Sequence, residues 1–66
     1  PDLVEMPRII GNSFATVEPR LLEAGFVVGK VTGKPNYKLR KAFVGDKAIT
    51  NGDQVPRGAT IDLVFP

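Results

Sequence analysis

The chain has 66 residues, enough for one small domain that hides roughly 60% of the surface its unfolded form exposes. With 42% hydrophobic and 24% charged residues its composition is that of a globular chain, which excludes disorder, and no apolar run approaches the ~20 residues of a membrane helix. There is no cysteine and no histidine, which excludes disulfides and thiolate chemistry and removes the usual metal ligands and the commonest general base. No cofactor is expected, and the absence of cysteine suits a cytosolic protein and a disulfide-free envelope protein equally.

The net charge of +2 is unevenly spread. Residues 30–47 hold Lys30, Lys34, Lys38, Arg40, Lys41 and Lys47 against Asp46 alone, a local excess of +5, while the remaining positions hold three basic and six acidic residues. The charge is therefore localised, which matters more for partners than the total.

In chain order, Leu3-Val4-Glu5-Met6 reads as a short apolar strand. Pro7 cannot donate to a sheet ladder, so it ends the strand or sits at an edge. Asn12-Ser13 opens a helix, since either side chain can accept from a free N–H of the first turn. Phe14, Val17, Leu21 and Ala24 recur at helical spacing with Leu22 beside them, and Gly25 closes the helix. Pro19 breaks this pattern, so a bent first turn is expected, with a regular segment from Val17 to Ala24.

Phe26 to Thr32 reads as a strand in which Val31 is out of phase with Phe26 and Val28, which places a bulge at Gly29. Gly33-Lys34-Pro35-Asn36 is a loop. Tyr37 to Val44 is expected to be a second strand, with Leu39 and Phe43 facing the core and Ala42 and Val44 facing away. Strict alternation would also turn Lys41 inward, so this strand is read as bulged or at an edge. Gly45-Asp46 makes a two-residue hairpin loop. Asn51-Gly52-Asp53 is a tight turn, and Val55-Pro56-Arg57-Gly58 fits a type I turn, with proline second and glycine fourth. In the last strand Ala59, Ile61, Leu63 and Phe65 alternate with Thr60, Asp62 and Val64, so one face of its sheet is buried.

One amphipathic helix and one half-buried sheet make a two-layer α+β domain. The expected architecture is a single helix packed on a small, mainly antiparallel sheet, ordered β-α-β-β with an inserted hairpin before the last strand. The expected core is Val4, Ile10, Phe14, Val17, Leu21, Leu22, Phe26, Val28, Leu39, Val55, Ile61, Leu63 and Phe65.

Several of these pieces resemble a PASTA domain, the module named for penicillin-binding proteins and serine/threonine kinases. They are Ile10-Gly11, Ser13, Leu21-Leu22-Glu23-Ala24-Gly25, Phe26-Val27-Val28, Asn51-Gly52, Val55-Pro56-Arg57-Gly58 and Ile61-Asp62-Leu63-Val64, in order and over nearly the whole chain. The chain departs from the pattern at Pro19 and across Lys41–Thr50, where the family usually has a Ser-Pro step and a Pro-x-Pro-Gly run. The resemblance implies a non-catalytic, extracytoplasmic module of the bacterial envelope, outside the cytoplasmic membrane. It would be excised from a longer multi-domain chain, compatible with a membrane-anchored parent. Its expected partners are peptidoglycan or muropeptide fragments and neighbouring domains of the same chain.

No catalytic constellation is present in the sequence: Ser13 reads as a helix cap, with no histidine to activate it. A ligand is expected against Tyr37, Lys38 and Arg40, with Lys30 and Lys34 at the rim. Cationic side chains there would pair with the carboxylates of peptidoglycan stems, and the tyrosine would lie against a sugar ring. The competing reading is a solvated edge whose lysines block edge-to-edge pairing. A second class of function is a structural spacer or protein-interaction module, with Ala42, Val44 and Val64 covering a neighbour. Nucleic-acid binding rests only on the sequence pI of about 9.3 and one aromatic ring near the lysines, and is not expected.

Overall fold

A computed structural model describes residues 2–66. The elements are β1 (Leu3–Glu5), α1 (Phe14–Glu23), β2 (Val27–Thr32), β3 (Lys41–Val44), β4 (Lys47–Ile49), β5 (Gln54–Pro56) and β6 (Thr60–Val64). The α+β class holds: one helix packs on mostly antiparallel strands around a single core. The strands divide into two sheets, an antiparallel pair β1-β5 and a four-stranded sheet ordered β2-β6-β3-β4. The pairing β2-β6 is parallel, while β3-β6 and β3-β4 are antiparallel.

α1 runs unbroken from Phe14, three residues before the regular segment expected, with Pro19 inside it on the solvent side. The proline leaves the Ala15 carbonyl without its helical donor, a loss that water can make good on an exposed face. Ser13 occupies the N-cap with extended backbone, yet its side chain makes no capping hydrogen bond. The first helical N–H, that of Phe14, instead donates to the carbonyl of Pro35 at 2.9 Å. At the other end Phe26 N–H donates to Leu21 O and Gly25 N–H to Leu22 O, with Gly25 at φ 90°. That is the paired bonding of a Schellman cap, sealed by Phe26 and Leu21, both buried.

The bulge expected at Gly29 is present as a register shift between Val28 and Val31 along β6. The Asp62 carboxylate sits over it, accepting from Lys30 N–H at 2.9 Å. A side chain at residue 29 would press into that carboxylate, so the glycine is fixed by close approach. The Gly45-Asp46 loop joins β3 to β4 as expected, with Val44 opposite Lys47.

The other expectations need correction. Residues 37–40, which include Tyr37, Lys38 and Arg40, are not strand. β3 begins only at Lys41, and its register is the reverse of the one read from sequence. Ala42 sits opposite Leu63 and is fully buried, Val44 packs against the core, and Phe43 faces outward beside Asp62. Leu39 is buried as expected, but from an irregular segment that does not carry its phase into β3. Ala42 therefore cannot contribute to an exposed apolar strip. Leu22, expected in the core, is 57% exposed, because the buried stripe of α1 runs through Val17 and Leu21 one residue to its side. Met6, Ile9, Ala42 and Ile49 are core residues that the periodicity did not mark. The turn after β5 lies one residue later than expected. Ala59 N–H donates to Pro56 O, and Gly58 takes the third position with φ 83°, as in a type II turn.

The turn at Asn51-Gly52-Asp53 does more than reverse the chain. Its Asn51 Oδ1 accepts from the N–H groups of Ile9 and Ile10 at 2.9 and 3.0 Å. Met6 exchanges backbone bonds with Asp53 and Gly52, and Asp53 Oδ2 accepts from Thr50 N–H. The segment between β1 and α1 is thus held by a side chain some forty positions away. Removing that acceptor leaves two N–H groups without a partner, one of them on the fully buried Ile9. Asn51→Ala is expected to destabilise by about 2 kcal/mol, and Asn51→Asp, which keeps an acceptor, to recover most of it. Urea unfolding measures both, and an unchanged midpoint for Asn51→Ala would sink this account.

Candidate functional site

The five sequence-predicted residues lie on β2 and on the segment between β2 and β3. Lys30 is on β2, beside the bulge. After β2 the chain turns at Gly33, where Lys34 N–H donates to Pro66 O at 3.0 Å. A second turn, Lys34-Pro35-Asn36-Tyr37, closes with Tyr37 N–H donating to Lys34 O at 3.0 Å. The Pro35 carbonyl caps α1, so this turn is seated on the helix N-terminus. Leu39 then anchors the segment from the other side. It exchanges backbone bonds with Asn12 and Gly11, 2.8 and 2.9 Å, and its side chain is buried. Arg40 N–H donates to Val64 O.

A segment without regular structure is therefore tied to α1, β6 and the chain end by backbone bonds, and it holds its side chains outward from a fixed frame. Lys34 Nζ lies 5.4 Å from the centre of the Tyr37 ring, within cation–π range, and the ring is 48% exposed. Lys38 and Arg40 flank the buried Leu39 and are both exposed. Lys34 and Tyr37 are thus brought together by a turn rather than by a strand. Lys30 belongs to a different element and joins them only in charge.

Beside the Pro35-Asn36 turn is a shallow hollow of about 310 Å3, lined by Ser13, Phe14, Ala15, Pro35 and Asn36. Sequence reasoning missed it. Pro35-Asn36 was legible as a turn, but nothing local says that a turn will dock on a helix end far upstream, at Phe14. Ser13 contributes to this wall rather than to a side-chain cap.

Among the described residues the only ion pair is Asp2–Arg57, which includes none of the lysine cluster. The Arg57 guanidinium, by hydrogen bond and by charge, holds the Asp2 carboxyl below its ordinary range. Both groups are solvent-exposed, so the pair contributes little to stability. Among the described residues none of the cationic side chains of residues 30–47 is in an ion pair, which leaves them available to an external anion. No group of three or more His, Cys, Asp or Glu among the described residues is placed to hold a metal ion. The arrangement offers an aromatic face, a rigid apolar wall and unpaired cations. That is equipment for non-covalent recognition of a ligand with both apolar faces and negative charge. No family model, curated protein or solved structure matches the chain.

Proposed function

We propose that this chain is a non-catalytic binding module of the bacterial envelope that recognises peptidoglycan fragments outside the cytoplasmic membrane. The observation that carries the reading is the exposed Lys34–Tyr37 pair on a pinned turn, next to the hollow at the start of α1. Tyr37 supplies the face for a sugar ring. Lys38 and Arg40 supply donors for stem-peptide carboxylates, arginine bidentately, and Lys30 and Lys34 add charge at the rim. The fixed backbone of the segment supports the reading too, because a preordered loop loses little entropy on binding.

The test is an NMR titration of the domain with soluble muropeptides at two salt concentrations. Saturable shifts confined to residues 30–41, weaker at high salt, are expected. Tyr37→Ala and Arg40→Gln are each expected to weaken binding roughly tenfold with the fold intact. Absence of shifts at millimolar ligand would end the proposal.

One observation favours a spacer or docking module as the second reading. Val27 and Val31 are exposed on β2, an edge strand of the larger sheet, at 50% and 36%. A neighbouring domain that covered this edge would bury them, and its shifts would fall on residues 27–32 in a longer, tandem fragment.

A further inference from the structure

A second concavity lies away from the lysine-rich turn. A groove of about 540 Å3 lies between the Pro7-Arg8 segment and the last turn of α1, lined by Pro7, Arg8, Arg20, Glu23 and Ala24. Since the lysine-rich turn docks at the first residue of α1, the two places are separated by the length of the helix, roughly 15 Å.

Two arginines line the one groove, and among the described residues neither they nor Glu23 is in an ion pair. Two cations outnumber the one carboxylate of the lining, and that excess of positive charge favours a bound anionic group. The backbone beneath them is fixed. The Arg8 carbonyl accepts from Arg20 Nη1 and from Asn12 Nδ2, which occupies both of its lone pairs, and the next N–H is held by Asn51. Arg20 is thereby held against the Arg8 segment with most of its five N–H donors unspent, and Arg8 projects from an immobilised peptide.

The sign pattern narrows the ligand. With two cations and one carboxylate in the lining, a phosphate dianion would be attracted by the arginines but opposed by Glu23. A zwitterion satisfies all three. Pro7 and Ala24 add an apolar surface, and the volume falls in the range that accepts a ligand larger than a single small ion. We infer that this groove binds a short free peptide, its terminal carboxylate on Arg8 and Arg20 and its ammonium on Glu23.

The test is an amide NMR titration with glycyl-leucine, its C-terminal amide, its N-acetyl form and inorganic phosphate. Glycyl-leucine is expected to give saturable millimolar shifts at Arg8, Arg20, Glu23 and Ala24. Amidation should weaken binding tenfold or more, roughly the loss of one charge-assisted contact, and acetylation by a smaller factor. Arg8→Gln should reduce affinity about tenfold, while its spectrum elsewhere stays in place because the acceptor of Arg20 is the backbone carbonyl. Glu23→Gln should erase the difference between glycyl-leucine and its acetylated form. Phosphate binding as tightly as the peptide would overturn the inference in favour of a general anion patch. Absence of shifts at these four residues, or an Arg8→Gln variant that binds unchanged, would overturn it outright. The residues read out here are distinct from 30–41, so this result and the muropeptide result can each fail alone.

Discussion

Gly33→Ala is expected to leave the domain largely unfolded. Gly33 has φ 86°, and an added Cβ would run into the Phe65 carbonyl oxygen and come within 2.9 Å of that of Pro66. The left-handed backbone alone costs an L side chain roughly 1–2 kcal/mol. The clash adds to it, and because the obstructing atoms are backbone, relief means pulling the chain end off β2. Two bonds hang on that contact, Phe65 N–H to Thr32 O at 2.8 Å and Lys34 N–H to Pro66 O at 3.0 Å. A domain of this size has a total stability of about 3–10 kcal/mol, so the combined loss takes most of it. Gly52→Ala is the internal control: its φ is the same 86°, but nothing lies within 4 Å of the new Cβ. It should lose only about 1 kcal/mol. Thermal and urea unfolding followed by circular dichroism would compare the two, and similar midpoints would show that the close approach at Gly33 carries no weight.

Leu63→Ala should be comparably severe for a different reason. Leu63 lies within β6, with no exposed surface, paired with Val31 on one side and Ala42 on the other. Its neighbours are strands on both flanks and cannot collapse into the gap, so the cost is expected in the upper part of the roughly 2–5 kcal/mol seen for buried leucines. Leu22→Ala should change stability by no more than about 0.5 kcal/mol, because that side chain already stands in water. Equal effects at the two positions would contradict the placement of α1.

The contrast between these leucines marks what was legible in the sequence. Features set by neighbouring residues could be read: the Gly25 cap, the Gly45-Asp46 hairpin, the bulge at Gly29 and the alternation Ile61, Leu63, Phe65. Features set by distant residues could not. Leu21 and Leu22 are equally apolar, and only the angle at which α1 meets the sheet decides which is buried. Residues 37–44 alternate well enough to pass for a strand. The backbone bonds of Leu39 to Gly11 and Asn12 pull that segment away from the sheet and reset the phase, so that Ala42 rather than Phe43 turns inward. The pairing of β1 with β5, which splits the strands into two sheets, joins three-residue segments too short to show a period. The candidate site divides in the same way. Its residue types and their charge were evident, but the meeting of Lys34 with Tyr37 depends on a turn closing, and the hollow beside it on that turn docking against α1.

β6 is the last strand in chain order and lies in the interior of the larger sheet, between β2 and β3. Val27 must therefore wait for Thr60 and Val28 for Ile61, while the β3-β4 hairpin can close by itself. Each distant pairing bears the entropy of a long closed loop before any contact repays it, which slows the search more than it weakens the product. For a chain this short, folding is expected to be slow. Until β6 arrives, β2 waits with both edges open, which leaves it free to pair with another chain.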